Sequence, residues 1–380
     1  MNKKATELLK QYGFERIKAA DMIDSYNFED RKLVEIVKAT YFNPKIVVID
    51  ETTTALSQEG REELYKHMER IRKSGNTVIF ISHDLPEIIE KSDTITILRD
   101  GVYIDTVKSK DVNENDLKKL MVGREVTGDY YRSDYGEKIS DEVVLSAKHV
   151  TVPGLIEDVS FDLHKGEILG FGGLSESGMH EIGKAIFGAS YDREGTVELA
   201  DGTQINDIPT AIKHSIAYTS KDRDNESVVL NQSIGDNICL PSLDELSGPA
   251  HLISDKKKKD FANKFAKQMS VKMVDVNQFV SNLSGGNKQK VVLARWIGKD
   301  SDIVVLDSPT RGIDIKVKQD IYQLMNQMRK NGKSIIMISE ELMELIGMCD
   351  RIMIMKDGKI SGELERDQNL DENGLITMMV

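Results

Sequence analysis

The sequence predicts an α/β fold that contains two copies of one unit. Residues 283–307, LSGGNKQKVVLARWIGKDSDIVVLD, read as a glycine-containing loop, a helix starting near Asn287 and an apolar strand that ends on Asp307. Strands that alternate with helices in this way are typical of α/β proteins, which bind ligands at the carboxyl edge of the sheet. The layout occurs twice, because subtracting 257 takes Asp307, Gly332, Ser339, Asp350 and Gly358 to Asp50, Gly75, Ser82, Asp93 and Gly101 without a gap.

Composition narrows the class of protein. The 380 residues are 39% hydrophobic and 30% charged, which is ordinary for a globular protein with room for two cores. No apolar run approaches the roughly 20 residues that span a bilayer, and the N-terminus lacks a secretory apolar core, so a cytoplasmic location is expected. The net charge of −12 argues against a nucleic-acid surface.

The first unit is predicted to occupy residues 1–125. It reads as helices over 28–40, 61–73 and 111–123, strands over 46–49 and 77–81, and a hairpin over 95–106 with its turn at Asp100–Gly101. A polar segment over 126–141 is predicted to be the linker, and residues 142–380 the second unit.

A glycine loop is predicted after a strand over residues 168–170. Gly173 and Gly178 have the GxxxxG spacing of a phosphate-cradling loop, but Met179 and His180 stand where such a loop has Lys and Ser or Thr. Glu176 adds a negative charge inside the loop. Weak nucleotide binding and a purely structural turn both remain open for this segment.

A second segment predicted to bind phosphate, at Gly285 and Gly286, precedes the strand that ends on Asp307. Gly285 and Gly286 allow the backbone to approach a ligand closely, and the free N–H groups at a helix start favour an anion. The carboxylate of Asp307 can hold a metal-bound phosphate at the strand end.

Five segments then establish a resemblance to a known family. LSGGNKQKVVLARW, VVLDSPTRGID, VVIDETTTAL, FISHDL and MKDGKISGE resemble the signature, Walker B, D-loop and switch segments of ABC-transporter ATPases. More narrowly, the double cassette and the LSGGN form resemble the ATP-binding subunits of bacterial monosaccharide importers of the ribose and galactose type. The resemblance implies two RecA-like P-loop NTPase units, the first incomplete and the second with an antiparallel β segment and a helical subdomain.

The resemblance also implies roles for individual residues, with ATP and Mg²⁺ as cofactors. In the first unit Asp50 would orient the Mg²⁺ shell, Glu51 would polarise the attacking water and His83 would contact the γ-phosphate. The implied nucleotide-binding residues of the second unit are Ser284, Gly285, Gly286 and Asn287 in the signature, Gly173, Ser177 and Gly178 in the glycine loop, and Asp307.

Several positions depart from the family pattern. Asn27, Phe28 and Glu29 fall where the second unit has Ser284–Gly286, so the first signature is expected to be defunct. In the second unit, three positions have lost the family's residues. Lys221 replaces the Q-loop glutamine, Ser308 the catalytic glutamate and Glu340 the switch histidine.

A glycine loop for the first unit is missing from the sequence. The repeat offset puts the counterpart of Gly173 at 173 − 257 = −84, before Met1. The first cassette is therefore expected to lack its Walker A loop, and hydrolysis by this chain alone is doubtful. The favoured account is an N-terminally truncated copy of a longer importer ATPase; the others are a split gene whose missing fragment carries the loop, and a regulatory or decaying paralogue.

The function implied by the resemblance is to energise carbohydrate import. Its implied partners are membrane permease subunits and, through the complex, an extracytoplasmic sugar-binding protein, and its implied location is the inner face of the cell membrane. The alternatives are a non-hydrolysing regulatory or degenerate paralogue and a nucleoside importer ATPase. A double-cassette protein acting on ribosomes is disfavoured by the acidic charge, and no nucleic-acid partner is expected.

Overall fold

The computed structural model describes residues 2–26, 28–50, 52–56, 58–82, 84–99, 102–122, 130–134, 138–174, 176–248, 252–313, 315–367 and 370–379. The chain divides into two compact units, Met1–Thr127 and Gly128–Val380. Glu51, His83 and the turn at Asp100–Gly101, all named in the sequence analysis, lie outside the described residues.

The first unit contains two small sheets. β1 (Ile46–Asp50) and β2 (Thr77–Ile81) pair in parallel, and β3 (Thr94–Arg99) and β4 (Val102–Lys108) form an antiparallel hairpin. Its helices are α1 (Asn2–Gln11), α2 (Phe28–Thr40), α3 (Gln58–Lys73), α4 (Leu85–Lys91) and α5 (Glu114–Val122). The predicted strands of the parallel pair are confirmed to within a residue and those of the hairpin to within two, whereas α3 begins three residues before the predicted start.

One face of the β1–β2 sheet forms the core of the first unit. Val47 and Ile49 point into a cluster that includes Leu33 and Val37 of α2 and Leu64 of α3. The alternation of apolar residues at period two in β1 and the helical spacing in α2 place these side chains on facing surfaces.

The opposite face of the same sheet is exposed. Ile46 and Val48 are each 58% exposed, Ile79 is 48% exposed and Ile81 is 45% exposed. The residues 257 positions later are the same amino acids, Ile303, Val305, Ile336 and Ile338, and they are 5%, 0%, 0% and 0% exposed. The two units thus present identical residues in opposite environments.

The difference has a topological cause. The second unit has a six-stranded sheet in the order β13 (Lys359–Glu365), β12 (Arg351–Lys356), β7 (Ile168–Gly173), β11 (Ser334–Ile338), β10 (Ile303–Asp307) and β9 (Ile216–Thr219), in which β7 lies between β11 and β12. In the described part of the first unit, β2 pairs with β1 alone, although its counterpart β11 is flanked by both β10 and β7. In the second unit, β7 extends the sheet, and the helix α6 (Met179–Ile186) packs on this face beside Val305 and Ile338. The described part of the first unit contains no equivalent of either element.

The second unit is larger, and the strands at the centre of its six-stranded sheet are fully buried. Its strands are β5 (Val143–Val152), β6 (Ile156–His164), β7 (Ile168–Gly173), β8 (Glu194–Leu199), β9 (Ile216–Thr219), β10 (Ile303–Asp307), β11 (Ser334–Ile338), β12 (Arg351–Lys356) and β13 (Lys359–Glu365). Every residue of β7, β10 and β11 is buried, as expected for parallel strands covered on both faces. A separate antiparallel sheet has the order β6–β5–β8.

The helices of the second unit surround these sheets and form a helical segment. They are α6 (Met179–Ile186), α7 (Ile208–Lys213), α8 (Ile234–Cys239), α9 (Leu243–Leu246), α10 (Asp255–Gln268), α11 (Gly285–Lys299), α12 (Ile315–Lys330), α13 (Leu342–Met348) and α14 (Glu372–Met379). Residues 234–268 supply the helices α8 to α10, and α8 and α10 pack against α11. Among the described residues, no helix is both long and apolar enough to cross a membrane.

Part of the predicted linker is packed within the second unit. The guanidinium of Arg132 is buried and makes ion pairs with Asp350 at 2.7 Å and Asp134 at 2.9 Å. Tyr131 lies so close to α13 that a Cβ on Gly347 would come within 2.3 Å of its ring. The described residues 130–134 are therefore a fixed segment of this unit.

Candidate functional site

The glycine loop of the second unit joins β7 to α6 and is tightly closed. A Cβ on Gly173 would lie 2.3 Å from Ser177 Oγ, and one on Gly178, whose φ is +91°, would lie 2.6 Å from the Leu155 carbonyl oxygen. Both positions therefore require glycine. Met179, at the position of the usual phosphate-binding lysine, is fully buried, and Ser177 Oγ is buried without a partner among the described groups.

The carboxyl ends of the central strands meet at Asp307. This carboxylate is 1% exposed and accepts hydrogen bonds from His180 Nδ1 at 2.7 Å, Ser308 Oγ at 3.3 Å and the Tyr218 hydroxyl at 3.4 Å. Glu340, which follows β11, accepts from Lys221 Nζ at 2.7 Å, and that ammonium lies 3.0 Å from His180 Nε2. Residues from α6, β10 and the segments after β9 and β11 thus form one connected network, here named the Asp307 cluster.

Hydrogen bonds and one ion pair stabilise the carboxylates of the Asp307 cluster. Burial by itself would lower the pKa of His180, but the hydrogen bonds to Asp307 and then Glu340 outweigh it and raise that pKa above its ordinary value. Burial, followed by the charge of Asp307, raises the pKa of Tyr218, so the phenol stays protonated and can donate. The ammonium of Lys221 offsets the charge of Glu340, and Asp307 accepts hydrogen bonds from His180 and Tyr218.

This arrangement does not fit a Mg²⁺ ion at Asp307. The oxygens that a metal would use already accept hydrogen bonds, and His180 occupies the position at which a Ser or Thr hydroxyl would reach the ion. Ser308 provides no carboxylate to activate water. Among the described residues, no group of three or more His, Cys, Asp or Glu side chains is placed to hold a metal ion.

A cavity of about 610 Å³ opens beside the Asp307 cluster. None of the described loop residues 173–178 lines it, so the glycine loop and the cavity are separate features. The lining comes from α6, α11, the segment after β9 and the strand end at β10: His180, Glu181, Lys184, Ser220, Lys221, Asp222, Arg223, Asp224, Glu226, Gln289, Asp307, Ser308, Arg311 and Gly312.

The signature segment forms the N-terminus of α11. The helix begins at Gly285, two residues before the predicted start, with the exposed Ser284 as its N-cap. Asn287 is turned away from a ligand position, because its Nδ2 donates to Ser284 Oγ at 2.9 Å and its Oδ1 accepts from the Lys272 N–H at 2.7 Å. A Cβ on Gly285 would lie 3.1 Å from Arg223 Nη2, which places this glycine beside the cavity lining.

Asp50 of the first unit differs from its counterpart Asp307. Its side chain is exposed at the end of β1, and no described group forms a hydrogen bond or an ion pair with its carboxylate. Thr52 Oγ1 donates to the Asp50 backbone oxygen at 3.3 Å. A carboxylate that is exposed at a strand end and has no hydrogen-bond partner among the described residues fits a Mg²⁺ ligand, which Asp307 does not.

Solved structures with the same fold define the class. The dimeric structure of a bacterial ABC transporter cassette matches 59% of this chain and 99% of its own with a TM-score of 0.52 at 22% identity. A nucleotide-free ATP-binding cassette from an ABC transporter matches 63% of this chain with a TM-score of 0.53 at 18% identity. The ABC transporter family model matches residues 156–311. The fold is thus that of an ATP-binding cassette, and the predicted α/β class is confirmed.

Curated relatives narrow the family. The ribose import ATP-binding protein RbsA of Lactococcus lactis subsp. lactis is 41% identical over 341 residues, which are 90% of this chain and 68% of the relative. The xylose import ATP-binding protein XylG of Thermoanaerobacter pseudethanolicus is 43% identical over 347 residues, which cover 88% of this chain and 68% of that protein. The chain belongs to the family of ABC transporter ATP-binding proteins that includes these two, and the resemblance stated from its motifs is confirmed.

The hydrogen bonds of the Asp307 cluster were not predicted from the sequence. His180, Lys221 and Glu340 were identified as departures from the family pattern, but not as residues that bond to one another. The charges of these residues were the available signal. The acidic Glu340 and the basic Lys221 and His180 replace the family's residues at three positions that meet beside Asp307. Such complementary replacements indicate a contact.

Proposed function

We propose that the chain is the ATP-binding subunit that energises monosaccharide import by an ABC transporter. The observation that carries this proposal is the 41% identity to a ribose import ATP-binding protein across 90% of the chain. The partners would be permease subunits in the membrane, served by an extracytoplasmic sugar-binding protein, with this chain on the cytoplasmic side. Ribose and xylose are the first candidate sugars, and nucleosides are the second class to test.

The chemistry is assigned to the first unit. Asp50 would hold the Mg²⁺ shell, Glu51 would polarise the attacking water and His83 would contact the γ-phosphate. The bound metal would supply the charge that stabilises phosphoryl transfer. The carboxylate of Asp50 supports this assignment, because it is exposed and has no partner among the residues that the structure describes.

The second unit is assigned a non-catalytic role in nucleotide recognition. The N-terminus of α11, from Ser284 to Asn287, offers backbone N–H groups for a γ-phosphate. Gly173, Ser177, Gly178 and Asp307 would form at most a weak nucleotide site. The Asp307 cluster specifically favours the alternative in which this unit is a non-hydrolysing, regulatory cassette.

Hydrolysis by this chain alone is proposed to be very low. Phosphoryl transfer depends on a lysine and backbone amides that cradle the β- and γ-phosphates. No GxxxxGK[ST] string occurs in the sequence, and the loop at Gly173–Gly178 has buried Met179 in the lysine position. The first unit's acids would therefore act with a glycine loop supplied by residues outside this sequence.

The test is a transporter reconstituted with the permease subunits, the sugar-binding protein and the polypeptide that supplies the loop. Ribose or xylose, but not a nucleoside, should stimulate ATP hydrolysis. Gly285→Asp should abolish the stimulated rate, because it places an anion against a phosphate. Gly285→Ala is the matched control, which adds the Cβ beside the movable Arg223 side chain without a charge. Equal loss in both variants would reject the charge argument, and stimulation by nucleosides alone would reject the sugar assignment.

A further inference from the structure

A buried carboxylate that no proposed chemistry uses lies in the first turn of α4. Glu87 is 6% exposed and accepts hydrogen bonds from three hydroxyl groups. Ser82 Oγ donates at 2.7 Å and Thr53 Oγ1 at 3.1 Å, and the Tyr65 hydroxyl donates as well. The donors come from the segment after β2, the turn after β1 and α3. We call this set the Glu87 clamp.

The same clamp occurs in the second unit. Glu344 is 1% exposed and accepts from Ser339 Oγ at 2.8 Å, from Thr310 Oγ1 and from the Tyr322 hydroxyl. Each of these four residues lies 257 positions after its counterpart. The repeat has therefore kept all four identities and all three hydrogen bonds.

Keeping such a set has a physical cost, so it needs a reason. A buried carboxylate is unfavourable unless its oxygens are hydrogen-bonded, and losing one donor leaves a buried acceptor unsatisfied. Here the donors are drawn from segments far apart in sequence, so the carboxylate fixes those segments relative to one another. The fourth element held is α4 itself.

The clamp of the first unit holds the backbone next to two residues of the proposed chemistry. Thr53 follows Glu51 by two positions, and its carbonyl oxygen also accepts from Arg61 Nε at 3.0 Å. Ser82 directly precedes His83, and its hydroxyl accepts from the Asp84 N–H at 3.1 Å on the other side. The carboxylate of Glu87 thus ties the chain beside position 51 to the chain on both sides of position 83.

We propose that Glu87 is a positioning residue for ATP hydrolysis, which sets the segment of Glu51 against the segment of His83 through Thr53 and Ser82. This inference rests on the proposed function. Glu344 makes the same clamp in a unit whose corresponding positions are Ser308 and Glu340. There it holds the fold without positioning any catalytic group.

The duplicated clamp supplies its own control. In the reconstituted transporter, Glu87→Ala should lower kcat about 100-fold with KM changed less than about twofold, since misplacing reacting groups by about 1 Å costs that much. Glu344→Ala, the matched lesion, should change kcat less than about twofold. Glu87→Gln, which keeps the size and one carbonyl acceptor, should recover part of the lost kcat. Equal losses of kcat from Glu87→Ala and Glu344→Ala would overturn the proposal and leave the clamp a structural feature only.

A second measurement does not depend on activity. Double-mutant cycles by urea denaturation of the chain should give a coupling of about fivefold or more in the folding equilibrium constant between Glu87→Ala and Ser82→Ala. The cycle of Glu344→Ala with Ser339→Ala should give a similar coupling. Absence of coupling in the first pair would overturn the clamp itself. Failure of the wild-type transporter to hydrolyse ATP would instead reject the proposed function, and the cycles would still decide whether the clamp exists.

Discussion

Identical residues in the two units should respond very differently to the same substitution. Ile79 is 48% exposed and its counterpart Ile336 is fully buried. Ile336→Ala should cost about 2–5 kcal/mol of unfolding free energy, because it removes buried carbon atoms and leaves a cavity. Ile79→Ala should cost only about 1 kcal/mol, because half of the roughly 1.5–3 kcal/mol of burial is never gained and no cavity forms.

The exposed face also limits the stability of the first unit as a whole. Four apolar side chains, each about half exposed, forfeit roughly 3–6 kcal/mol relative to full burial, against about 5–15 kcal/mol for a typical domain. Hydrogen exchange in β1 and β2 should therefore be faster than in β10 and β11.

Two assays report on each unit separately. Urea denaturation measures the unfolding free energies, and hydrogen exchange detected by mass spectrometry measures the protection of each sheet. Trp296, the only tryptophan of the chain, is buried in the second unit, so its fluorescence follows that unit's transition. An equal cost of Ile79→Ala and Ile336→Ala, or equal protection of both sheets, would refute the reasoning and show that the first sheet is covered on both faces in solution.

Two further predictions concern buried polar groups. Burial lowers the pKa of His67, whose ring nitrogens lack a partner among the described residues. Below about pH 6.5 the unfolded chain takes up a proton at this histidine and the folded chain does not, so the first unit should lose stability as the pH falls. His67→Leu introduces the residue found at the equivalent position of the repeat, Leu324, and should remove this pH dependence and raise the unfolding free energy by about 1–3 kcal/mol. Urea midpoints at pH 7.5 and 5.5 measure both effects, and an unchanged pH dependence would contradict the prediction. Arg132→Met removes the 2.7 Å partner of Asp350, which keeps Arg329 Nε at 3.4 Å, and should lower the unfolding free energy of the second unit by about 1–3 kcal/mol, followed by Trp fluorescence. The exposed-pair control Lys165→Ala, whose ammonium lies 3.0 Å from the Glu142 carboxylate, should cost under about 1 kcal/mol, and similar shifts would contradict the prediction.

Local sequence signals predicted the strands and the repeat well. The run Ile46–Asp50 and its counterpart Ile303–Asp307 are short apolar segments bounded by polar residues, and such segments form strands wherever a core is available. The repeat offset was equally reliable, because it depends on residue identity alone. These features need no knowledge of tertiary contacts.

Tertiary pairing decided the features that sequence reasoning missed. β7 continues to Gly173, three residues past the predicted end, because Gly172 and Gly173 pair with Ile354 and Met355 of β12. The helix α11 begins earlier than predicted, and its first intrahelical hydrogen bond runs from the Lys288 N–H to the Ser284 carbonyl oxygen at 2.9 Å. Strand pairing and caps depend on partners that are distant in the chain or on backbone angles, neither of which a residue pattern shows.

The Asp307 cluster and the exposed sheet face illustrate the same limit. His180, Lys221 and Glu340, which span 160 positions of the chain, meet beside Asp307 only after the sheet has formed its strand order. The identical isoleucines and valines of β1 and β10 differ in exposure because of a neighbouring strand and helix, and nothing in the residues themselves marks that difference.

The most direct test of the proposed function is the ATPase rate of the purified chain, compared with that of its Glu51→Gln variant, in the presence of Mg²⁺. The proposed chemistry lies in the first unit, no lysine-bearing phosphate loop occurs in this sequence to complete it, and Asp307 of the second unit already accepts hydrogen bonds from His180 and Tyr218. Both proteins should therefore hydrolyse ATP at the same background rate. Turnover at a rate normal for ABC ATPases that Glu51→Gln abolishes would contradict the proposal.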